Sequence, residues 1–141
     1  MRTSSEARIG GALVAVAVAV VLLAGCGPGQ TSRSPAVVVR DYLSAERAAD
    51  GKGICALFSD RYRKASESDP DNAGHLSCAR LATLYARRSG RKRHELKGVR
   101  VDGFRATATV TCDDPTAADC SLPLVNQDGE WRIDGSPSPN D

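Results

Sequence analysis

Two periodicities divide the chain. Between residues 34 and 88, apolar side chains recur at three- and four-residue steps, the spacing of a helix face. Between residues 99 and 133 they alternate with polar ones, the spacing of half-buried strands. The helical part opens at Ser34-Pro35, a capping serine followed by a proline at the first helical position. Val38, Val39, Tyr42, Leu43, Ala45 and Ala49 then form one stripe, and Arg40, Asp41, Glu46 and Arg47 face elsewhere. Asp50-Gly51 and Gly53 are expected to end this helix. A short second helix carries Ile54, Cys55, Leu57 and Phe58, and Ser59 caps a further turn through Tyr62 and Ala65. A polar loop with Pro70 follows. A third helix is expected from Asn72 or Ala73 to Arg88, with Leu76, Ala79, Leu84 and Tyr85 inward.

The alternating part predicts an antiparallel meander. Asp102-Gly103 and Asp128-Gly129 are hairpin turn signals. The first turn is expected to pair Val101 with Phe104 and Val99 with Ala106, which sets Arg100 against Arg105. The second is expected to pair Asn126 with Trp131 and Leu124 with Ile133. Placing Cys112 opposite Cys120 sets Val110 against Leu122 and Ala108 against Leu124. Each of these pairings keeps apolar residues on one face, and a one-residue slip would break that agreement. Pro123 conflicts with a central strand because it has no N–H, so a bulge or a missing ladder bond is expected there. The tail from Gly135, residues 135–141, is expected to be disordered.

Ahead of the helices lies a different pattern. Arg2 and Arg8 precede an uncharged run from Ile9 to Ala24. At about 1.5 Å per residue this run spans about 24 Å, short of a bilayer core of about 30 Å. A signal peptide over residues 1–25 fits better than a permanent span. Leu23-Ala24-Gly25-Cys26 ends the run and resembles the lipobox of bacterial lipoproteins. That resemblance implies diacylglycerol on the Cys26 sulfur, cleavage before it, and a membrane-anchored protein on the extracytoplasmic face of the cell membrane. Residues 26–34 read as a flexible tether.

Composition adds bounds. The chain has 141 residues and a net charge of +2, and loss of Arg2, Glu6 and Arg8 with the leader leaves 17 basic and 16 acidic residues. That balance is too mild for a nucleic-acid partner. Aromatics make up only 4% of residues, so small aliphatics must fill the core. Apart from Cys26 there are four cysteines, an even number suited to an oxidising compartment. Of the three pairings, Cys55–Cys78 with Cys112–Cys120 is preferred, because each joins neighbouring elements. No Cys-x-x-Cys occurs, and the spacing gives no good metal site.

One basic cluster stands out: Arg87, Arg88, Arg91, Lys92 and Arg93. It reads as a solvated helix exit, or as a contact for anionic lipid headgroups, an anionic wall polymer or an envelope protein. His75 and His94 are the only histidines, neither on an evident inner strand position, and no catalytic motif accompanies them. A non-enzymatic protein without cofactor or metal is therefore expected.

Helices followed by an antiparallel meander make an α+β plan. Tyr42-Leu43, Cys55-Ala56-Leu57-Phe58, Cys78 and the segment Leu124-Val125-Asn126-Gln127-Asp128-Gly129-Glu130-Trp131-Arg132-Ile133 resemble the nuclear transport factor 2-like (cystatin-like) superfamily. They resemble especially its small secreted lipoproteins from GC-rich Gram-positive bacteria. The resemblance covers residues 35–134 and implies a cone in which N-terminal helices pack on a curved sheet around a cavity. Tyr42, Phe58 and Trp131, with Asn126 as the polar member, are then the expected cavity residues. An accessory or binding module is the expected role, with a small hydrophobic ligand in the cone as the alternative.

Overall fold

The computed structural model describes residues 32–72, 74–89, 94–112, 116–117 and 119–139. The leader, Cys26, Arg91, Lys92 and Arg93 lie outside the described residues. Among those described, no helix is long and apolar enough to cross a membrane.

Four helices precede the sheet: α1 (Pro35–Arg47), α2 (Gly51–Ala56), α3 (Asp60–Glu67) and α4 (Cys78–Ser89). Side chains set the starts of the first three. Ser34 accepts from the Val37 amide, Asp50 from Gly53 and Ser59 from Tyr62, at 3.4, 3.0 and 3.0 Å. Asp50-Gly51, expected as a stop for α1, is thus also the start of α2. The further turn after Ser59 is a full helix, α3. The last helix begins at Cys78 rather than near Asn72. His75 has φ +46°, which no helix accommodates, and the Asn72 side chain knits the loop instead. Asn72 Nδ2 donates to the Glu67 and Leu76 carbonyls, and its Oδ1 accepts from the Leu76 amide.

The sheet has the order β1 (Leu96–Asp102), β2 (Arg105–Thr111), β3 (Asp119–Gln127) and β4 (Glu130–Ile133), all antiparallel. The β3–β4 register agrees with expectation: Leu124 pairs with Ile133 and Asn126 with Trp131. Asp128 and Gly129 both have positive φ there, as a type I′ turn requires. The first hairpin differs. Val101 pairs with Ala106, Val99 with Ala108 and Asp102 with Arg105, so Gly103-Phe104 is the turn. Only Gly103 takes a positive φ, the II′ pattern, which spares Asp102 that conformation. The shift carries on to β3: Val110 pairs with Cys120, Ala108 with Leu122 and Ala106 with Leu124. Every partner moves by two residues, an even number, so the buried face is unchanged. Arg100 and Arg105 do not oppose each other; they face Thr107 and Asp102 across the β1–β2 ladder.

The inward face of the sheet packs on α1, and α2 and α4 pack on each other and on α1. Val38, Val39, Leu43, Ile54, Ala82, Ala106, Ala108, Val110, Leu122, Leu124 and Ile133 are buried together. Disulfides join Cys55 to Cys78 and Cys112 to Cys120, as the preferred pairing has it. The first ties α2 to α4. The second closes the β2–β3 connection.

Pro123 stays in register opposite Thr107, without a bulge. Its carbonyl accepts from the Asp134 amide at 2.9 Å. The reciprocal bond, to the Asp134 carbonyl, is the one a proline cannot donate. Arg61 Nη2 donates to that carbonyl instead, at 2.7 Å. Beyond it the chain does not fray as expected. Ser138–Pro139 forms β5, which pairs with Cys120 and Ser121 of β3. Because β4 stops opposite Leu124, that stretch of β3 is open, and the returning tail fills it. Gly135 allows the return, since a Cβ there would lie 2.8 Å from the Pro123 ring.

Candidate functional site

A pocket of about 870 Å³ opens between the helices and the β2–β3 end of the sheet. Tyr42 of α1, Phe58 of the α2–α3 link and Tyr62 of α3 form an aromatic row on one wall. Their ring centroids are 6.4 Å apart for Tyr42–Phe58 and 4.6 Å for Phe58–Tyr62. Phe58 is fixed by backbone pairing on both sides. The Ile133 amide donates to the Leu57 carbonyl, and the Ser59 amide to the Ile133 carbonyl. Tyr62 is held by a 2.7 Å hydrogen bond between its hydroxyl and Ser136 Oγ. Leu81, Ala82 and Ala86 of α4 make the facing wall, and Val110 and both strand cysteines lie at one end.

Glu46 and His94 form a mostly buried pair in the wall of this pocket. Glu46 is in the last turn of α1 and His94 immediately precedes β1. His94 Nδ1 lies 2.9 Å from Glu46 Oε2, and the two side chains are only 10% and 14% exposed. Ser89 Oγ is 3.5 Å from the other Glu46 oxygen, but its single proton points better to the Tyr85 carbonyl at 2.9 Å. Nδ1 is on the carboxylate, and Nε2 is shut off from solvent. The pair ties the end of α1 to the start of β1. The sequence shows no inner position for His94, next to the basic cluster; in the structure it is buried at 9% exposure. The signal that could have found it is Glu46, a carboxylate beside the apolar stripe of α1.

Of the expected cavity residues, Tyr42 and Phe58 line the pocket. Asn126 and Trp131 do not. They pair with each other at the opposite end of the sheet, near the β3–β4 turn, where Trp131 packs against the core. Both share the correct face, but alternation gives the face and not the height along the strand. Arg87 and Arg88 lie in the last turn of α4, and Arg88 is at the pocket rim. Among the described residues, no three His, Cys, Asp or Glu side chains are grouped to hold a metal ion.

A second polar cluster lies behind Phe58. Ser59, 2% exposed, donates to Asp134 Oδ1. Arg61 Nη2 donates to Asp134 Oδ2 at 2.6 Å, and its Nε to Oδ1 at 3.2 Å. Burial pushes the Asp134 carboxyl up. The hydrogen bonds from Arg61 and Ser59, with the charges of Arg61 and Arg105, outweigh this and hold it below the ordinary carboxylate range. Gln127 and Asp60 exchange two further bonds beside it. The cluster faces α3 rather than the pocket lumen and fixes the wall that carries Phe58 and Tyr62.

No family profile and no curated protein matches the chain by sequence. Solved structures do match. A provisionally named nuclear transport factor 2-like transpeptidase from Campylobacter jejuni aligns with TM-score 0.50 and 12% identity, over 74% of this chain and 100% of that one. The fold is nuclear transport factor 2-like. A protein of unknown function from Mycobacterium tuberculosis, Rv3472, aligns with TM-score 0.48 and 21% identity, over 74% of this chain and 69% of the other. The α+β architecture expected from the sequence, helices packed on an antiparallel sheet, is the one present. This fold serves enzymes and non-enzymes alike, so the site must supply the function.

Proposed function

We propose that the protein is a lipid-anchored extracytoplasmic binding module that takes a small, mostly apolar ligand in the pocket behind Tyr42, Phe58 and Tyr62. The observation that carries this reading is the pocket itself. Its volume of about 870 Å³ lies in the range of small-molecule sites, and its walls are mostly aromatic and aliphatic. Exposed charged groups such as Asp69 and Arg88 fall at the edges, where they would orient a polar end. The anchor reading rests on Cys26 behind its apolar leader, and the two disulfides fit the oxidising side of a membrane.

Binding is favoured over catalysis by two features. His94 has one nitrogen on Glu46 and the other shut off from solvent, so it is poorly placed to move a proton on a bound molecule. The four cysteines among the described residues are bridged, so they offer no thiolate for the acyl transfer that a transpeptidase performs.

Titration of an environment-sensitive apolar fluorophore into the purified protein tests the binding reading. Saturable binding at one site is expected, and Ala65→Trp should abolish it. Ala65 is an exposed lip residue of α3, so the variant narrows the mouth without changing the core. Binding that is absent in the parent, or unchanged in Ala65→Trp, contradicts the proposal.

A further inference from the structure

The tip of the β1–β2 hairpin is apolar and unburied. Phe104 is 63% exposed and Val101 53%. Arg105 stacks its guanidinium 5.6 Å from the Phe104 ring centroid, and Arg100 lies on the outer face two ladder positions away. A phenylalanine at a turn, exposed and covered only by an arginine side chain, adds nothing to the core. Its turn needs only Gly103, so the hairpin itself does not require an aromatic at position 104.

The place of this tip in the fold gives it a partner. Glu46, at the C-terminal end of α1, bonds His94 just before β1 begins. That end of the helix is therefore at the far end of β1 from the hairpin tip. The same helix also packs on β4. Every β4 residue lies level with Val101 or nearer the tip, since Ile133 pairs with Leu124, Leu124 with Ala106 and Ala106 with Val101. Thirteen residues of helix cover about 20 Å, close to the length of β1. Ser34, where the chain enters the domain, thus lies at the same end of the sheet as Phe104. From Cys26 to Ser34 the chain reaches at most about 28 Å.

From this we infer that the Val101–Phe104 hairpin tip docks into the outer surface of the bilayer to which Cys26 is attached. The inference rests on the anchoring reading. Phe104 and Val101 would enter the headgroup and upper acyl region, while Arg100 and Arg105 reach back to lipid phosphates. The same end of the domain also carries Asp102, Asp128 and the Glu130–Arg132 pair, so net charge is not the attraction; the apolar tip is. Docking in this way directs the pocket, which lies toward Cys112 and Cys120, away from the membrane.

The test uses the full-length chain, purified from membranes and reconstituted into phosphatidylcholine–phosphatidylglycerol vesicles with or without brominated acyl chains. Phe104→Trp is made in a Trp131→Phe background, and Leu84→Trp, an exposed site on α4 outside the pocket, in the same background. Emission from Trp at 104 should shift to the blue and be quenched by bromolipid, while Trp at 84 should be neither shifted nor quenched. In the unsubstituted chain, amide exchange at residues 102–105 should slow on vesicles. Solvent-like, unquenched emission at 104, equal quenching at both sites, or unchanged exchange overturns the inference. The intact mass of the same sample reports lipid on Cys26 separately, so failure of the anchor and failure of docking are told apart.

Discussion

Arg61 and Asp134, 73 positions apart in sequence, close a ring between α3 and the end of β4. The guanidinium holds both carboxylate oxygens and also takes the Asp134 carbonyl that Pro123 cannot serve. One exposed arginine thus repairs a gap left by a proline in the sheet and fixes the helix behind the aromatic wall.

Asp134 makes stability depend on acid. Its carboxyl is held below its ordinary value in the folded chain, so the stabilisation is complete above the unfolded value of about 3.9 and is lost as pH falls through the lower folded value. Asp134→Asn should flatten this part of the stability curve. The check is urea unfolding at pH steps from neutral down to about 2, parent against variant, and identical slopes would oppose the account.

Ser59 holds two elements at once, capping α3 and donating to Asp134. Ser59→Ala loses the cap, about 1 kcal/mol, and a bond to a carboxylate of about 1.5–3 kcal/mol. A loss of about 2.5–4 kcal/mol is expected, read as a lower urea midpoint with unchanged slope.

Gly51 sits where α2 meets α4. A Cβ at this position would stand 1.9 Å from the Ala79 carbonyl oxygen, which is backbone and cannot swing away. Gly51→Ala, ordinarily favourable in a helix, should here cost about 1–3 kcal/mol. Thermal unfolding would show it, and a raised melting temperature would disprove the close approach.

Neither bridge should be dispensable, but they differ. Loop entropy gives about 3.4 kcal/mol for Cys55–Cys78, which spans 23 positions, and about 2.6 kcal/mol for Cys112–Cys120, which spans 8. Paired alanine variants compared by chemical unfolding should rank in that order.

Much of the architecture could be read from side-chain periodicity. The Ser34 and Ser59 caps, the alternation in β2 and β3, the type I′ turn at Asp128-Gly129 and the pairing of the four domain cysteines are local signals, and local chemistry decided them. The first hairpin was offset by two because Asp102-Gly103 and Gly103-Phe104 are both legal turns that bury the same face. Inverting that choice would need the height of the helices above the strands, which alternation does not encode. The site was less legible. Tyr42 and Phe58 followed from the helix stripe. Asn126 and Trp131 did not, because they lie at the wrong end of a correctly identified face. His94 was masked by its basic neighbours, since its burial depends on Glu46, 48 positions earlier. Strand β5 depends on where β4 stops, which is a property of the whole sheet.

The anchored, disulfide-stapled module at the centre of this account is tested most directly by the intact mass of the chain extracted from membranes, without reductant and then with it. The account predicts a chain that starts at Cys26, carries acyl groups on that residue, and gains four hydrogens on reduction. A chain that still starts at Met1, with an unmodified Cys26 and free thiols before reduction, would contradict it.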